Sequence, residues 1–381
     1  MKVLLVEPWL GGSHRSWAVG YAGASELDVS VIGLEGRAWR WRLRGSSLPL
    51  ARMVCRWVEE NGAPDVLVVS GLTDVAQLLG LVGRSALGAA PVVVYQHESQ
   101  LLYPTPSGQP DTAAVLHNWL SWAAADLVLF NSAFHRDAVI DALPKFLASL
   151  PDGSHSGFVD EIVDRFEVMS VGVDLVGLVD PQADTQHLSP GLAHPDGPII
   201  VWPHRWEADK TPDVFYRALV KLDNADIPFR LVLAGEDPVS GSEQASRSRA
   251  SIMTRFADRV VATGPFDRSE YVKWLEASDI VVSTAKHDFF GVGVVEAIAA
   301  GCYPVLPDDL AYPDLIPTEL RATFLYRRGT FGSALASALG SYSGKHRELH
   351  HLRQSMARFD WVEQAPQYDR RLRALVSLSP T

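Results

Sequence analysis

Continuous apolar runs alternate with longer amphipathic segments along the chain, and this alternation predicts an α/β fold. Runs such as Val66–Val69 and Val92–Val94 contain no polar side chain, which is typical of strands covered on both faces of a parallel sheet. The predicted strands are Val3–Glu7, Val29–Leu34, Val66–Ser70, Val92–Gln96, Leu127–Asn131, Glu167–Val171, Ile199–Trp202, Arg230–Ala234, Val260–Thr263, Ile280–Ser283, Pro304–Leu306 and Thr323–Tyr326. The predicted helices between them include Pro212–Leu222, Ser269–Ala277 and Phe331–Leu339.

The pattern restarts after a segment of different composition, which divides the chain into two halves. Asp180–Pro198 is rich in Pro, Gly, Asp and His, as is typical of an exposed connection. We therefore predict two doubly wound, Rossmann-like domains that face a central cleft, one over residues 1–185 and one over residues 186–360. Ligands of such sheets bind beyond the carboxyl ends of the strands. Residues 361–381 are expected to be largely helical, with Pro366 interrupting or kinking the helix.

The composition narrows the functional classes. The chain has 381 residues, of which 47% are hydrophobic and 21% charged, and its formal net charge is -11. No apolar run approaches the ~20 residues that cross a bilayer. The two cysteines are too few for a disulfide framework and no Cys/His cluster suggests zinc, so we expect a metal-free protein in the cytoplasm. The negative net charge argues against coating nucleic acid by charge alone.

An acidic pair brackets a predicted helix in the second half. Asp288 precedes Phe290 and Gly291, Val292–Ala300 is apolar enough for a helix, and Glu296 lies within it. A helix N-terminus offers partial positive charge and unpaired N–H groups, which suit a diphosphate. Two carboxylates around such a site can hold the hydroxyls of a sugar and of a ribose. The motif therefore predicts a nucleotide-sugar site.

Two cations follow the first strand of the same half. Arg205 and Lys210 lie five positions apart at the end of Ile199–Trp202. An Arg and a Lys can neutralise a departing diphosphate without a metal. The alternative is a surface pair that is bonded to Glu207 and Asp209. A later loop with Asp308, Asp309, Tyr312 and Asp314 is interpreted as turn residues rather than as part of the site.

Polar residues also follow two strands of the first half. Gly11 and Gly12 come directly after the first strand and let backbone approach a ligand, whereas Ser13 is expected to cap the next helix. A tight turn without ligand contact is the alternative. His97 follows Val92–Gln96 at the sheet edge, where it can hydrogen-bond a sugar hydroxyl or position an acceptor. A purely structural histidine is the alternative.

A basic, aromatic stretch lies between the second and third strands. From Arg37 to Arg56 it contains no acidic residue and has Trp39 and Trp41 interleaved with arginines. Arginine together with tryptophan suits phosphates and unstacked bases, although solvated arginines over core-capping tryptophans are an equal alternative. The candidate nucleic-acid contacts are Arg37, Arg40, Arg42 and Arg44.

Together these motifs resemble those of the retaining glycosyltransferases of the GT-B fold, glycosyltransferase family 4. In that family the acidic motif is usually E-x7-E, whereas this chain begins it with Asp288. The similarity is greater to one branch, the tRNA-queuosine α-mannosyltransferases, and it spans both domains. The blocks that carry it are Gly11–His14, Ala38–Arg42, His97–Pro104, Trp202–Glu207, Ser283–Gly291 and Gly301–Pro304. Ser99 departs from the His-Glu-Asn-Gln that is common in the branch.

The resemblance implies transfer of mannose from GDP-mannose to the cyclopentenediol of queuosine at the wobble position of tRNA-Asp. It implies that Gly12 and Arg205 with Lys210 contact the diphosphate, that Glu296 holds the ribose, and that Asp288 and His97 lie at the mannose. It also implies an N-terminal domain for tRNA, a C-terminal domain for the nucleotide sugar, and a C-terminal helix that crosses back to the first domain. Two alternatives remain open: a related enzyme with a polysaccharide, lipid or secondary-metabolite acceptor, and a non-catalytic sensor of nucleotide sugar or RNA.

Overall fold

The computed structural model describes residues 1–103, 105, 108–151, 154–178, 196–236, 242–344 and 346–378. The described chain forms two compact units: unit 1 comprises Met1–Asp174 and Phe359–Thr381, and unit 2 comprises Leu175–Arg358. The predicted boundary at 185/186 lies outside the described residues. The units instead divide after Asp174 because Val173 is bridged to Asp360 and its N–H donates to the carbonyl of Phe359 at 2.8 Å.

Unit 1 is a six-stranded parallel sheet with helices between its strands. Its sheet order is β2-β1-β3-β4-β5-β6, and every neighbouring pair is parallel. The strands are β1 Lys2–Leu10, β2 Asp28–Glu35, β3 Val66–Ser70, β4 Val92–Gln96, β5 Leu127–Phe130 and β6 Phe166–Val168. The helices are α1 Gly12–Ala24, α2 Trp39–Gly45, α3 Ser47–Asn61, α4 Val75–Val82, α5 Arg84–Leu87, α6 Thr112–Ala124, α7 Ala133–Ala148 and α8 Val159–Val163.

Unit 2 is also a six-stranded parallel sheet with helices between its strands, but it has the strand order of the Rossmann fold. Its order is β12-β11-β10-β7-β8-β9, again with parallel neighbours throughout. The strands are β7 Ile199–Trp202, β8 Arg230–Leu233, β9 Val260–Thr263, β10 Ile280–Val282, β11 Tyr303–Pro307 and β12 Leu325–Tyr326. The helices are α9 Pro212–Asn224, α10 Glu243–Arg255, α11 Arg268–Glu276, α12 Val292–Ala300, α13 Tyr312–Leu315, α14 Arg321–Phe324, α15 Phe331–Ser341 and α16 His346–Met356.

The apolar runs form the core strands, which confirms the predicted α/β architecture. Every residue of β3 and β4 is buried, so both faces of the sheet of unit 1 are covered, and the core on one of these faces includes Val69, Val94 and Trp122. The last predicted strand was too long: Arg321–Phe324 is helical and only Leu325–Tyr326 is extended. The pairing of β12 with β11 begins only at Leu306↔Leu325.

The C-terminal helix, α17 Trp361–Leu378, belongs to unit 1 and packs against α1. Tyr21 donates its hydroxyl to Asp369 at 2.9 Å, and the indole N–H of Trp17 donates to the hydroxyl of Tyr368 at 3.2 Å. Of the two effects expected of Pro366, an interruption is wrong, because α17 continues through this residue; a kink stays a prediction. In the described part of the chain, no helix combines the length and the apolar character needed to cross a membrane.

The strand orders locate one switch point in each unit. In unit 1 the winding reverses at β1, so the edge beyond β1 and β3 is open to a ligand. In unit 2 it reverses at β7, and β7 and β10 are neighbours. The residues that follow these four strands are therefore the ones that the fold places at ligand crevices.

Candidate active site

Lys210 is the centre of a charged cluster at the switch point of unit 2. Its ammonium donates to the carbonyl of His287 at 2.6 Å and lies 3.5 Å from Oδ2 of Asp288 and 3.3 Å from Oδ2 of Asp209. The side chains of Lys210 and Asp288 are only 11% and 15% exposed. The loops after β7 and β10 thus bring together two groups that lie 78 positions apart in sequence.

Both members of this pair are held in their charged forms. Burial opposes the ammonium of Lys210, but the carboxylates of Asp288 and Asp209 outweigh burial and the nearby guanidinium of Arg205, so the pKa of Lys210 is raised. Burial likewise opposes the carboxylate of Asp288, but Lys210 and hydrogen bonds to the carboxylate lower the pKa of Asp288. Burial, and then Lys210, lowers the pKa of His204 to about 4, so this imidazole is neutral.

Asp288 is positioned by a chain of two hydroxyls, those of Tyr312 on α13 and of Ser283 at the start of its own loop. Tyr312 donates to its Oδ2 at 2.9 Å, and the Tyr312 hydroxyl lies 2.7 Å from Oγ of Ser283. The N–H of Phe290 also donates to Oδ1 of Asp288, at 3.4 Å. The interpretation of Tyr312 as a turn residue was therefore wrong: it begins the short helix α13, and its side chain reaches back to the predicted sugar-binding carboxylate.

Helix α12 begins directly after this cluster, with Gly291 as its N-cap residue. Gly291 has φ of 92°, and a Cβ there would lie 3.2 Å from Cε1 of Tyr312. Only glycine adopts this backbone without strain beside that ring, and the first turn of α12 directly follows the loop that carries Asp288. Gly301 ends the helix with φ of 108°. The predicted helix Val292–Ala300 is confirmed at both ends.

Glu296 lies one turn into α12 and is paired with a residue that the sequence did not suggest. The guanidinium of Arg268, at the start of α11, donates to its carboxylate, and the Glu296 side chain is 11% exposed. Tyr271 is hydrogen bonded to the same carboxylate; burial, and then Glu296, raises the pKa of Tyr271 well above its ordinary value. Arg268 therefore orients the acid that was expected to hold a ribose.

Arg205 remains half exposed. Its side chain is 51% exposed and its Nη1 lies 3.5 Å from Oε1 of Glu207. Arg205 and Lys210 thus lie beside Glu207 and Asp209, respectively. These are the carboxylates that the surface-pair alternative named. Lys210, however, also contacts Asp288 on the distant β10 loop, which a simple surface pair does not require.

A second buried cluster lies at the switch point of unit 1. Glu7, on β1, is fully buried; its Oε1 accepts the N–H of Trp9 at 2.9 Å, and its Oε2 lies 3.1 Å from Nδ1 of His14 and 4.0 Å from Nε2 of His97. The rings of His14 and His97 lie 4.1 Å apart. Burial, followed by His14 and His135, lowers the pKa of His97 well below its usual value. His97 is therefore a neutral imidazole beside a buried carboxylate.

This cluster is also the place where the described residues could hold a metal. The ligand atoms of Glu7, His14 and His97 lie within 4.8 Å of one another. A carboxylate and two imidazoles are a donor set that suits Zn²⁺. In the structure, however, Nδ1 of His14 is already hydrogen bonded to Glu7. The expectation that the protein needs no metal stays a prediction.

The two glycines after β1 have different roles. A Cβ on Gly11 would lie 3.0 Å from Cα of Gly36, so this glycine lets two loops approach within unit 1. Gly12 has φ of 46° and no such crowding, since Trp9 would be 3.8 Å from its Cβ. The helix α1 is capped by Gly11 without a side-chain bond, so the predicted cap at Ser13 was wrong: Ser13 lies inside the first turn.

The arginine stretch forms the short helix α2 and the loop before it. Arg40 lies over the ring of Trp39 at 5.2 Å, and Trp41 is 65% exposed. Arg42 donates to the carbonyl of Glu35 at 3.2 Å. Arg37 and Arg44 are less available than expected: Arg37 lies 3.1 Å from the carboxylate of Glu35, and Arg44 donates to Asp111 at 2.8 Å. Trp41 faces solvent, which the core-capping interpretation did not predict.

Three residues at these sites went unnoticed in the sequence: Glu7, Arg268 and Tyr271. Glu7 had a signal, because it is a charged residue at the end of the apolar run Val3–Val6. Arg268 and Tyr271 had none, because they lie on a surface helix of ordinary amphipathic composition. Their contact with Glu296 is made only when α11 packs beside α12.

Comparison with known proteins shows which family the chain belongs to. Residues 2–173 match the family model "tRNA-queuosine alpha-mannosyltransferase N-terminal", and residues 185–324 match "Glycosyl transferases group 1". The chain is 33% identical over 325 residues to the tRNA-queuosine alpha-mannosyltransferase of Drosophila melanogaster, covering 83% of this chain and 82% of that protein.

Two further matches are more distant. A GDP-mannose-dependent alpha-(1-6)-phosphatidylinositol dimannoside mannosyltransferase of Mycobacterium tuberculosis is 25% identical over 169 residues, 43% of this chain and 42% of that protein. Sucrose-phosphate synthase from Thermosynechococcus elongatus superposes with a TM-score of 0.75 over 100% of both chains at 16% identity, which shows the fold alone. The predicted GT-B fold is confirmed, and the chain belongs to the tRNA-queuosine alpha-mannosyltransferase family of glycosyltransferases.

Proposed function

We propose that this protein transfers mannose, with retention of configuration, from GDP-mannose to the cyclopentenediol of queuosine at the wobble position of tRNA-Asp. The family relationship supports mannose and the tRNA acceptor. A relative whose name specifies GDP-mannose supports the guanine nucleotide. The reaction is assigned to the cytoplasm, in keeping with the two free cysteines.

The observation that carries the proposal is the Lys210–Asp288 pair at the β7/β10 switch point. A buried ammonium beside the N-terminus of α12 gives a fixed positive field for a diphosphate. A carboxylate held in its ionised form next to that field can accept hydrogen bonds from sugar hydroxyls. The same unit therefore offers one group for each half of a sugar diphosphate.

In the proposed reaction the bond between mannose C1 and the phosphate oxygen breaks, and its electron pair stays on the phosphate. Lys210, Arg205 and the N–H groups of α12 stabilise that developing charge. The acceptor hydroxyl forms the new C1–O bond on the same face and gives its proton to the departing phosphate oxygen. Charges balance without a protein nucleophile and without a metal at the diphosphate. Asp288 orients the mannose, and Glu296, held by Arg268, orients the ribose.

The roles proposed in unit 1 concern the sugar, the phosphates and the RNA. His97, as a neutral imidazole fixed beside Glu7 and His14, hydrogen bonds a mannose hydroxyl. The backbone at Gly11 and Gly12 approaches the diphosphate. The arginines of the α2 region bind the tRNA. Arg40 is exposed, whereas Arg42 is partly buried and donates to the carbonyl of Glu35. Arg37 and Arg44 are exposed and lie beside carboxylates.

Incubation with queuosine-containing tRNA and separate nucleotide sugars, followed by mass spectrometry of the nucleosides, tests the proposal. We expect a hexose on queuosine with GDP-mannose and only background with the corresponding UDP sugars. A hexose on queuosine from another donor would overturn the donor assignment. Donor turnover without any tRNA product would instead favour an enzyme with a polysaccharide, lipid or metabolite acceptor.

A further inference from the structure

A concave surface of unit 2 beside the candidate active site is lined by cations. It encloses about 310 Å³ between α9, the loop after β10 and the start of α15. Its floor is formed by apolar and aromatic side chains, among them Tyr326 and Phe331. Its cations are Arg217, Lys221, Lys286 and Arg328, and among the described residues that line it none carries a carboxylate.

Two of the four cations keep their charge uncompensated. Arg217 is paired with Asp213 at 2.7 Å, and Arg328 is paired with Asp309. Lys221 and Lys286 are both exposed, and neither has an ion pair with any residue that the structure describes. The pocket thus presents about two free positive charges in a chain whose formal net charge is -11.

The start of α15 adds to the positive field of the pocket. Phe331 and Gly332 open this 11-residue helix, and its N-cap residue Thr330 gives no side-chain hydrogen bond to it. A Cβ on Gly332 would lie 3.7 Å from Cδ of Lys221, so the lysine stem passes against bare backbone of the first helical turn. A phosphate oxygen there would meet helix N–H groups and an ammonium together.

The pocket shares its wall with the candidate active site. Thr211 directly follows Lys210, and the hydroxyl of Thr284 donates to the carbonyl of Lys210 at 2.8 Å. Lys286 lies two positions before Asp288, and its N–H donates to the carbonyl of Asp209 at 2.7 Å. An acceptor that delivers a hydroxyl to the active site therefore brings its neighbouring groups within reach of these lysines.

We propose that this cationic pocket binds a phosphodiester group of the acceptor tRNA. The inference rests on the proposed function, because it takes the acceptor to be RNA. Since most of the surface of so acidic a protein repels a polyanion, local cation clusters have to supply the attraction. Lys221 and Lys286 would contact the phosphate directly, and the backbone at Gly332 would come close to it.

The experiment measures tRNA binding by the full chain between 0.05 and roughly 0.3 M KCl, a range over which counterion release is resolved. The test variant is the double substitution Lys221→Glu with Lys286→Glu, and the matched control is Lys273→Glu, an exposed lysine on α11 outside the pocket. Each lost phosphate contact should lower the slope of log affinity against log salt by about 0.7–0.9, and affinity at 0.1 M salt by about fivefold. GDP-mannose affinity and melting temperature show whether the fold is kept.

The proposal is supported when the test variant loses both affinity and salt dependence while Lys273→Glu loses neither. It is overturned when the parent protein mannosylates tRNA and the variant, still folded and still binding GDP-mannose, binds tRNA just as tightly. It is also overturned when only titration with inorganic phosphate distinguishes variant from parent, because the pocket then takes a free anion. A parent protein that neither binds nor modifies tRNA would remove the proposed function itself.

Discussion

The ammonium of Lys210 lies 3.5 Å from Oδ2 of Asp288, and the hydroxyl of Tyr312 donates to the same oxygen. Three separate segments therefore converge on one carboxylate: the loop after β7, the loop after β10 and the start of α13. This convergence fixes a cation and an anion side by side at the point where the sheet of unit 2 reverses its winding. The prediction for Tyr312 follows from it.

Substitution of Arg205 by alanine is expected to lower the rate of mannose transfer on the order of 10²–10³-fold, because one charge-stabilising donor at the departing diphosphate is lost. The melting temperature should change little, since the Arg205 side chain is 51% exposed. Steady-state transfer assays and thermal unfolding check this. Arg247→Ala on α10, whose side chain is 72% exposed, is the matched control. Transfer by Arg205→Ala at the parental rate would disprove the assignment.

Tyr312→Phe removes one hydrogen bond from the Asp288 carboxylate and leaves the ring in place. A hydrogen bond to a charged group contributes about 1.5–3 kcal/mol, so we expect kcat to fall at least about tenfold. The pKa of Asp288 should rise, because the charged form loses a donor, and the acid limb of the pH–rate profile should move to higher pH. A variant with lowered stability but an unmoved acid limb would show that Tyr312 only supports packing.

Arg40→Glu and Arg42→Glu are expected to weaken tRNA binding and to lower its salt dependence by about 0.7–0.9 per lost phosphate contact. GDP-mannose affinity should stay at the parental value, because both arginines lie on α2. Arg370→Glu on α17, an exposed arginine with the same charge change, serves as the control in the same binding titration. Equal losses of tRNA and donor affinity would mean that α2 is needed for the structure of unit 1.

Transfer is expected to continue at its full rate in EDTA, because Lys210, Arg205 and the N-terminus of α12 supply the positive charge. The measurement is transfer by protein dialysed against chelator, with and without added Zn²⁺. Full inhibition by EDTA would reject the metal-free account. In that case Glu7→Gln, which removes a charged ligand from the Glu7, His14 and His97 set, would show whether the metal was bound there.

The neutral His204 predicts a stability change at acid pH. Its pKa is about 4 in the folded protein and about 6.5 in an unfolded chain, so the unfolded state binds more protons between these values. The free energy of unfolding should therefore fall as the pH drops from 6.5 to 4, by up to about 3 kcal/mol from this residue. Denaturant titrations across this range should show a shallower fall for His204→Gln. Identical pH dependence in both proteins would contradict the assignment.

Much of the local structure followed from the pattern of apolar residues. The runs that became β3, β4 and β7 were predicted to the residue, as was α12 with its glycine end, because uninterrupted apolar runs and a terminal glycine are local properties. Errors came where a partner decides the outcome. Pro366 is tolerated in α17, since this helix is stabilised by packing on α1 rather than by its own backbone hydrogen bonds alone.

The candidate site divides in the same way. Asp288, Arg205 and Lys210 were named from the sequence because each follows a strand, and parallel strands all end at one edge of the sheet; the structure brings Lys210 and Asp288 together there. The sequence could not show which arginines near α2 are paired with carboxylates, because Arg44 donates to Asp111, which lies 67 positions away.

The sequence by itself determined the two parallel sheets, the glycine turn into α12 and the set of charged residues at the strand ends, because apolar runs and turn residues act over a few neighbouring positions. Only the tertiary structure decided which charges meet. Tyr312 with Asp288, Arg268 with Glu296, and Glu7 with the two imidazoles are all contacts between side chains from different segments. Their pairing depends on strand order and helix packing, which set distances of a few ångströms between residues that are remote along the chain.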